Sequence, residues 1–333
     1  MSLIPVTDLQ ASEKAFHTLE KRLREDCQKF TRRIGWQGGN SEDVVYWNPR
    51  ERFWFTLLVE PGGKRFWCPY GTVDPHSRRI LGIVVECNPP IKGIDHRCAG
   101  AFLTDGTKTY LAHSGKIGGG RKGVGKTAFV NSYPHGNWRS VQWPDGRRSE
   151  MIIIGHVNGR RLPAQIGEFI REVEKFKTTA HIDSEQFSEP VVDSGFSPEF
   201  AGKRKSYQIS GDIESSCDHG LVVNELAKCL ERIGLKRIGK DRARDLFILT
   251  TTGKLRVLFE AKADVTTSSV YQGIGQLVYH SANDREGLRR VLVLPEIPNA
   301  KTRAVLAKIG IEVLTYCWKG SRPVFKNLKA LLK

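Results

Sequence analysis

Long hydrophobic runs and paired cysteine motifs are both missing from this 333-residue sequence. No apolar stretch approaches the roughly 20 residues that a membrane-spanning helix needs. The N-terminal residues lack a basic start followed by an apolar stretch, so no secretory signal is expected. The seven cysteines form no C-x-x-C pair, which is typical of reduced thiols in the cytoplasm. The sequence therefore predicts a cytoplasmic protein with no membrane partner.

Acidic residues are also in short supply. The chain has 36 of them against 52 lysines and arginines, which gives a net charge of +16. A surplus of this size favours a polyanionic partner, and double-stranded DNA is the simplest one. Hydrophobic residues (39%) and charged residues (26%) occur at the levels of an ordinary globular protein, so a folded chain is expected.

The length favours two domains, each large enough for its own core. Residues 8–32 have the apolar spacing of a helix, and so do residues 162–177. Between them, short β-branched and aromatic runs alternate with Gly, Pro and Asp turns, which indicates strands. We therefore expect a strand-rich, barrel-like α+β domain over 1–178, with flanking helices. A polar linker over 179–212 and a domain of alternating helices and strands over 213–333 follow it.

The most informative stretch is RDLFILTTTGKLRVLFEAKAD, residues 244–264, in which two apolar runs flank a turn. With Thr252-Gly253 as a two-residue hairpin loop, opposed residues have numbers that sum to 505. Asp245 then lies opposite Glu260, with β-carbons about 4.5–5.5 Å apart. Lys262 shares their face because strand side chains alternate. The pattern predicts two carboxylates and an ammonium group side by side.

Carboxylates in such strands need compensation, because burying a charge costs several kcal/mol. Oxygens of Asp245 and Glu260, with the backbone carbonyl of Ala261, would suit Mg²⁺ that keeps several waters, and Mn²⁺ should substitute. Lys262 could then orient the attacking water or neutralise the transition state. The alternative is an ordinary cross-strand ion pairing with no catalytic role.

These residues resemble the PD-(D/E)XK nuclease superfamily, which includes many restriction endonucleases and Holliday-junction resolvases. The resemblance covers roughly residues 217–318 and implies a restriction-endonuclease-like α/β domain with a mixed central sheet. It makes Asp245 the acidic strand start and Glu260-Ala261-Lys262 the E-x-K motif. It also implies a further acid, Glu225, on a preceding helix that His219 opens. On the helix after the motif, Gln276 fits the family, whereas Tyr279 departs from its Q-x-x-x-Y spacing and Gln272 lies one turn earlier.

A second motif, GGGRKGVGKTAF at 118–129, matches the nucleotide-binding spacing G-x-x-x-x-G-K-T. Pro134 and Gly136 should end any helix after about two turns, and no later strand plausibly supplies a magnesium-binding Asp. We therefore expect no ATP requirement. Glycines allow close backbone approach, so the loop is interpreted as a DNA phosphate contact. Its cations are Lys116, Arg121, Lys122 and Lys126.

Tryptophans are concentrated in the first 160 residues, mostly beside Arg, Lys or Pro. Aromatic faces can stack an unstacked or flipped base, which favours a recognition role for this domain. The alternative is that the indoles form the core of a β barrel. The candidates are Trp36, Trp47, Trp54, Trp67, Trp138 and Trp143. A strand-rich recognition domain fused to a nuclease domain resembles the layout of modification-dependent restriction enzymes.

A zinc site is a further alternative, with Cys87, His96 and Cys98 as ligands and Cys68 or His76 as the fourth, although C-x(8)-H-x-C is not a familiar spacing. The leading hypothesis is a Mg²⁺-dependent DNA endonuclease, a type II or type IV-like restriction enzyme acting as a homodimer. The alternatives are a DNA-repair or junction-resolving nuclease and a non-catalytic DNA-binding protein on a nuclease fold.

Overall fold

The computed structural model describes residues 3–36, 39–59, 62–118, 125–133, 136–185, 213–241, 244–282 and 287–332. The chain divides into two compact units, Met1–Gly211 and Asp212–Lys333. Each unit has a hydrophobic core of its own. Most of the predicted linker, 186–212, lies outside the described residues, and its beginning, 179–185, continues a helix.

The first unit consists mainly of strands. The helices are α1 (Leu9–Arg24), α2 (Lys126–Ser132) and α3 (Leu162–Glu185). The strands are β1 (Ile4–Pro5), β2 (Gln28–Trp36), β3 (Gly39–Asn48), β4 (Phe53–Phe55), β5 (Leu58–Val59), β6 (Phe66–Trp67), β7 (Pro69–Gly71), β8 (Ile80–Gly82), β9 (Val85–Glu86), β10 (Gly100–Thr104), β11 (Thr109–His113), β12 (Trp138–Gln142) and β13 (Arg148–His156).

Two sheets organise this unit. The first is antiparallel in the order β1-β10-β11-β13-β12, and its edge strands β1 and β12 approach each other, so it is nearly closed. The second has the order β8-β2-β3-β4-β7-β9 and is antiparallel except for the β2–β8 pair. Strands β5 and β6 form a separate ribbon. The strand-rich, barrel-like character predicted for the first domain is confirmed.

One core joins the helices to both sheets. Phe16 and Leu23 of α1, Phe55 of β4, Leu111 of β11 and Ile170 of α3 are buried in the same cluster. Aromatic rings make up much of its volume, and each fully buried ring contributes a large apolar area. The core therefore depends on residues that lie more than a hundred positions apart in the sequence.

The helix predicted over residues 8–32 is too long. Asp8 caps α1 by accepting a hydrogen bond from the Ala11 N–H at 2.9 Å, but the helix ends at Arg24. Asp26 then adopts a left-handed conformation (φ 59°), which stops a helix. The next residues form β2, which pairs with β3 along its whole length, and this pairing overrides the local helical spacing.

The second unit alternates helices and strands around one sheet. Its elements are α4 (Ile213–Arg232), β14 (Ile238–Gly239), β15 (Leu246–Leu249), β16 (Leu255–Ala261), α5 (Thr267–His280), β17 (Arg289–Leu294), α6 (Ala300–Lys308), β18 (Ile311–Lys319), β19 (Arg322–Phe325) and α7 (Leu328–Leu331). The strand order is β14 to β19 in sequence. The β16–β17 and β17–β18 pairs are parallel and the others antiparallel.

Helices cover both faces of this mixed sheet. Helices α5 and α6 connect the parallel strands and pack on one face through Val270, Leu277 and Leu306. Helix α4 packs on the other face through Val222 and Leu226. The predicted α/β domain with a mixed central sheet is thereby confirmed. Among the described residues, no helix combines the length and apolarity required to cross a bilayer.

Candidate active site

The β15–β16 hairpin sets the position of the candidate catalytic residues. Leu246 pairs with Phe259 and Ile248 with Val257, so the residue numbers sum to 505 as predicted. The turn itself differs from the prediction. The pair Thr250 and Lys254 closes a three-residue loop, because the Thr250 N–H donates to the Lys254 carbonyl at 2.8 Å.

A β-bulge reconciles the two observations. The register shifts between Ile248 and Leu249, where Leu249 pairs with Leu255 and Arg256 is the extra residue. Gly253, with φ 83°, supplies the left-handed residue that a three-residue hairpin loop requires. The third loop residue shifts the pairing by one position, and the bulge at Arg256 shifts it back. The register near Asp245 and Glu260 is therefore the one that a two-residue loop would give.

Three of the predicted catalytic residues are joined directly by hydrogen bonds. The Lys262 ammonium donates to Glu260 Oε1 at 2.7 Å and to Gln276 Oε1 at 2.7 Å. Asp245 is linked to the same strand end, because its Oδ2 accepts from the Ala261 N–H at 2.9 Å. Glu260 is only 3% exposed. The structure therefore brings Asp245, Glu260, Lys262 and Gln276 to the end of β16.

The backbone of Lys262 is held on both sides. Its N–H donates to the Val293 carbonyl at 2.9 Å, and its carbonyl accepts from the Tyr316 hydroxyl at 3.2 Å. Both partners belong to the buried centre of the sheet, since Val293 lies on β17 and Tyr316 on β18. Lys262 is therefore fixed to a rigid part of the fold, as a residue that positions reacting atoms has to be.

His219 is a member of the cluster that the sequence interpretation left without a role. Its Nε2 lies 3.2 Å from Asp245 Oδ1. It shares the inward stripe of α4 with Val222, Val223 and Leu226, at helical spacings of three, four and seven residues. That spacing was visible in the sequence and could have identified His219 as facing the sheet.

Glu225, in contrast, does not contact this cluster. Its Oε1 accepts a hydrogen bond from Arg232 of the same helix and lies near the Cys229 thiol. It lies six positions after His219, which places the two side chains about 120° apart around the helix. Tyr279 is 78% exposed and also points away from the site. On α4, His219 and not Glu225 is therefore the side chain that contacts the cluster. The family resemblance had assigned that position to Glu225.

The two carboxyls differ in their acidity. Burial opposes ionisation of Asp245, but His219, the Ala261 N–H and Lys262 outweigh it and lower its pKa to about 2. Burial raises the pKa of Glu260 to about 7, and the nearby Asp245 charge adds to the increase, which Lys262 only partly offsets. Burial would lower the pKa of His219, yet the Asp245 charge and hydrogen bond raise it. The two carboxyls of one cluster thus have pKa values shifted in opposite directions.

The donor set suits a hard cation that retains water. Among the described residues, no group of three or more His, Cys, Asp or Glu side chains converges as a metal cage. Mg²⁺, however, needs only one or two carboxylates, because it keeps several of its waters. Asp245 and Glu260, with the Ala261 carbonyl, are the residues that would hold it. A nearby dication would also favour the ionised form of Glu260.

The glycine loop is described only at its two ends. Arg121 and Lys122 lie outside the described residues, whereas Lys116 donates to the His96 carbonyl at 2.6 Å and Lys126 to the Glu150 carbonyl at 3.2 Å. Burial lowers the pKa of Lys126, and the charge of Lys116 adds to this. Each of these two lysine side chains is thus hydrogen-bonded to a backbone carbonyl of the protein itself.

The loop has the local context of a nucleotide-binding loop, but only in part. Strand β11 precedes it, and α2 begins at Lys126. That helix ends after seven residues, at Ser132, in agreement with the predicted limit of two turns. Strand β11 belongs to an antiparallel sheet, whereas a phosphate loop joins a parallel strand to a long helix.

The tryptophans differ in exposure. Trp47, Trp54 and Trp143 are buried, and a buried indole cannot stack a base without leaving its core. Trp138 is half-buried and lies against Gly115, where an added β-carbon would come within 2.7 Å of the ring. Trp36 is 43% exposed. These placements favour core or supporting roles for most of the six and leave Trp36 as the exposed candidate.

The Trp36 ring is supported by a chain of side-chain contacts. The centroids of the Trp36 and Trp67 rings lie 5.7 Å apart in an edge-to-face arrangement. Trp67 Nε1 in turn donates to Glu86 Oε1 at 3.2 Å. Asn88 donates to the other Glu86 oxygen at 2.8 Å. Gly39 lies opposite Trp36, where a β-carbon would come within 3.1 Å of the ring. A partly exposed ring that its neighbours hold in place is the geometry that base stacking needs.

No three of the zinc candidates converge as a metal site in the described part of the chain. His96 Nε2 lies 2.7 Å from Asp145 Oδ2, and His76 pairs with Asp74. Cys68 and Cys87 are fully buried, and burial raises the pKa of both thiols, so the metal-binding thiolate is disfavoured. Cys98 lies close to Asp95, and burial and that charge raise its pKa too.

Comparisons with known proteins identify no family for this chain. No family model matches it, and no curated protein matches it. A solved structure of a repair endonuclease from Pyrococcus abyssi aligns with 93% of this chain and 96% of its own, at 11% identity and a TM-score of 0.23. A similarity at that TM-score carries no argument about fold or function.

Proposed function

We propose that the chain is a metal-dependent endonuclease that hydrolyses phosphodiester bonds in double-stranded DNA, with a restriction or defence role. The observation that supports it is the connected cluster of Asp245, Glu260, Lys262 and Gln276 at the end of β16. Burial of Glu260, together with the neighbouring Asp245 charge, raises the pKa of that carboxyl to about 7, and pKa shifts of this size are concentrated at functional sites. The net charge of +16 supports a polyanionic substrate.

The chemistry that Mg²⁺ supplies at such a site is a lowered pKa of a bound water and neutralisation of charge on the phosphate. Asp245 and Glu260 are the residues that would hold the ion. Gln276 fixes the Lys262 ammonium by accepting a hydrogen bond from one of its three N–H groups, and Glu260 accepts a hydrogen bond from another. The third N–H can donate to the attacking water or to a phosphate oxygen. His219 holds the Asp245 carboxylate in its orientation.

Digestion of supercoiled plasmid and linear duplexes, unmodified and carrying modified bases, tests this function. Cleavage is expected with Mg²⁺ or Mn²⁺ and should stop when EDTA removes the metal, because Asp245 and Glu260 alone cannot stabilise the charge on the phosphate. Gel electrophoresis of the products gives the readout. Intact DNA across all substrates with both metals would refute a nuclease.

Cleavage is also expected to proceed without ATP. Lys126 rests on the Glu150 carbonyl, and α2 is too short for a typical nucleotide-binding helix. Adding ATP, or changing Lys126 to alanine, should leave the cleavage rate per bound complex unchanged. Cleavage that strictly requires ATP and is lost in Lys126→Ala would identify the loop as a nucleotide site instead. Titration with a fluorescent ATP analogue supplies an independent measurement.

For recognition, we propose that Trp36 stacks a base of the target. Trp36→Ala should weaken binding to the preferred site by about 1–3 kcal/mol. Because this stacking would hold the base that is flipped out for recognition, most of the preference over other sequences should be lost with it. Ile80→Ala is the matched control, because Ile80 is also exposed, and nearby, but offers no aromatic face. Fluorescence polarisation with preferred and non-preferred duplexes measures both. Equal losses for the two variants would rule out stacking by Trp36.

A further inference from the structure

Helix α5 presents a large surface without charge. Its fourteen residues include no Asp, Glu, Lys or Arg, in a chain of which 26% is charged. The inward side packs on the sheet through Val270, Gly273 and Leu277. The outward side exposes Tyr271 and Tyr279, at 68% and 78% of their surface. A solvent-facing helix side is normally polar and charged, so this one has the character of an interface.

The shape of that side is self-complementary. Tyr271, Gly275 and Tyr279 are spaced by four residues, so they form one ridge along the helix. A β-carbon added at Gly275 would meet no atom within 4 Å, so the ridge has an open notch between its two tyrosines. Two such helices that cross at their notches could each place a tyrosine beside the other's glycine, at the interaxial angle of about −50° that ridges of this spacing favour.

We propose that this side of the helix, called the α5 face, binds the α5 face of a second copy of the chain. Its residues are Ser268, Tyr271, Gln272, Gly275, Val278 and Tyr279. A two-fold dimer uses the same patch on both subunits, which a single ridge with a central notch satisfies.

The absence of charged residues on the α5 face favours a second copy of the chain over DNA as its partner. Two copies that each carry +16 repel one another, so their contact is least costly where the surface has no charge. A DNA backbone requires cations, and the α5 face offers none. Tyrosine is also enriched at protein–protein interfaces, because it supplies a large contact area with a polar end.

The location links the α5 face to the candidate catalytic cluster. Gln276 follows Gly275 directly and accepts a hydrogen bond from Lys262. A contact between α5 helices would therefore lie within one helical turn of each active site and join two of them in one particle. That such a pair cuts both strands of a duplex rests on the proposed function. The proposal that two α5 faces bind each other does not depend on it.

Sedimentation of the full-length chain, without DNA or metal, tests the proposal. The wild type is expected to sediment as a dimer that dissociates on dilution, and Gly275→Arg as a monomer at the same concentration. Arginine has open space there in the monomer and a better helix propensity than glycine, so the variant should melt no earlier than the wild type. Val324→Arg, which places the same charge on exposed β19, should remain a dimer.

Two outcomes would overturn the proposal: a wild type that stays monomeric up to its solubility limit, and a Gly275→Arg variant that still dimerises. If the wild type is monomeric and its DNA affinity falls in Tyr271→Ala, the face is assigned to DNA instead. Failure of the nuclease hypothesis gives a different result. A dimer that cuts no DNA refutes the proposed function and leaves the α5 face in place, whereas a monomer that cuts DNA does the reverse.

Discussion

Glu260→Gln is expected to lower the rate of DNA cleavage by roughly 10³-fold or more while DNA binding is retained. Glutamine keeps an oxygen that can accept the Lys262 hydrogen bond, so the fold and the position of Lys262 should survive. What is lost is the negative charge that would hold the metal ion. Asp245→Asn should behave in the same way, because its amide oxygen can still accept from the Ala261 N–H.

Glu225→Gln is the matched control for these variants. The family resemblance makes Glu225 catalytic, whereas the structure turns it toward Arg232, so cleavage close to the wild-type rate is expected. His219→Asn should slow cleavage, because Asp245 loses the side chain that orients it. Single-turnover cleavage of a labelled duplex separates these effects from binding. Wild-type rates in Glu260→Gln, or loss of activity in Glu225→Gln alone, would contradict the assigned site.

The sequence was most informative where its pattern had a period of two. Asp245 and Glu260 could be placed opposite each other because one hydrophobic face fixes the register of a hairpin. The prediction reached the observed register by an incorrect route, since it assumed a two-residue loop. The bulge at Arg256 offsets the third loop residue, and no local signal announces a bulge whose bulged residue is an ordinary arginine.

Other features depend on tertiary contacts that the sequence does not display. Residues 28–32 carry a helical spacing, yet pairing with β3 makes them part of a strand. Trp54 and Trp36 could not be ranked from the sequence, and only the structure shows that one ring is buried and the other exposed. His219 is the opposite case, because the apolar stripe of α4 already marked it as inward-facing.

The first unit, expressed as residues 1–185 so that α3 remains complete, is expected to bind duplex DNA without cutting it. It contains its own core, while Asp245, Glu260 and Lys262 lie in the second unit. If the four loop cations each neutralise one phosphate, raising the salt concentration fourfold should weaken binding about 100-fold. Fluorescence polarisation at several salt concentrations gives the slope of log affinity against log salt.

Neutralising part of the loop separates the phosphate contacts from base recognition. Replacing Arg121 and Lys122 by glutamine should reduce that slope by about 2 and preserve the sequence or modification preference, because phosphate contacts position and base contacts specify. Replacing Lys14 and Lys21 on the exposed side of α1 removes the same charge elsewhere and should leave the slope nearly unchanged. Equal slopes for the two double variants would mean that the glycine loop contacts no phosphate. Absence of any affinity at low salt would place DNA recognition outside the first unit.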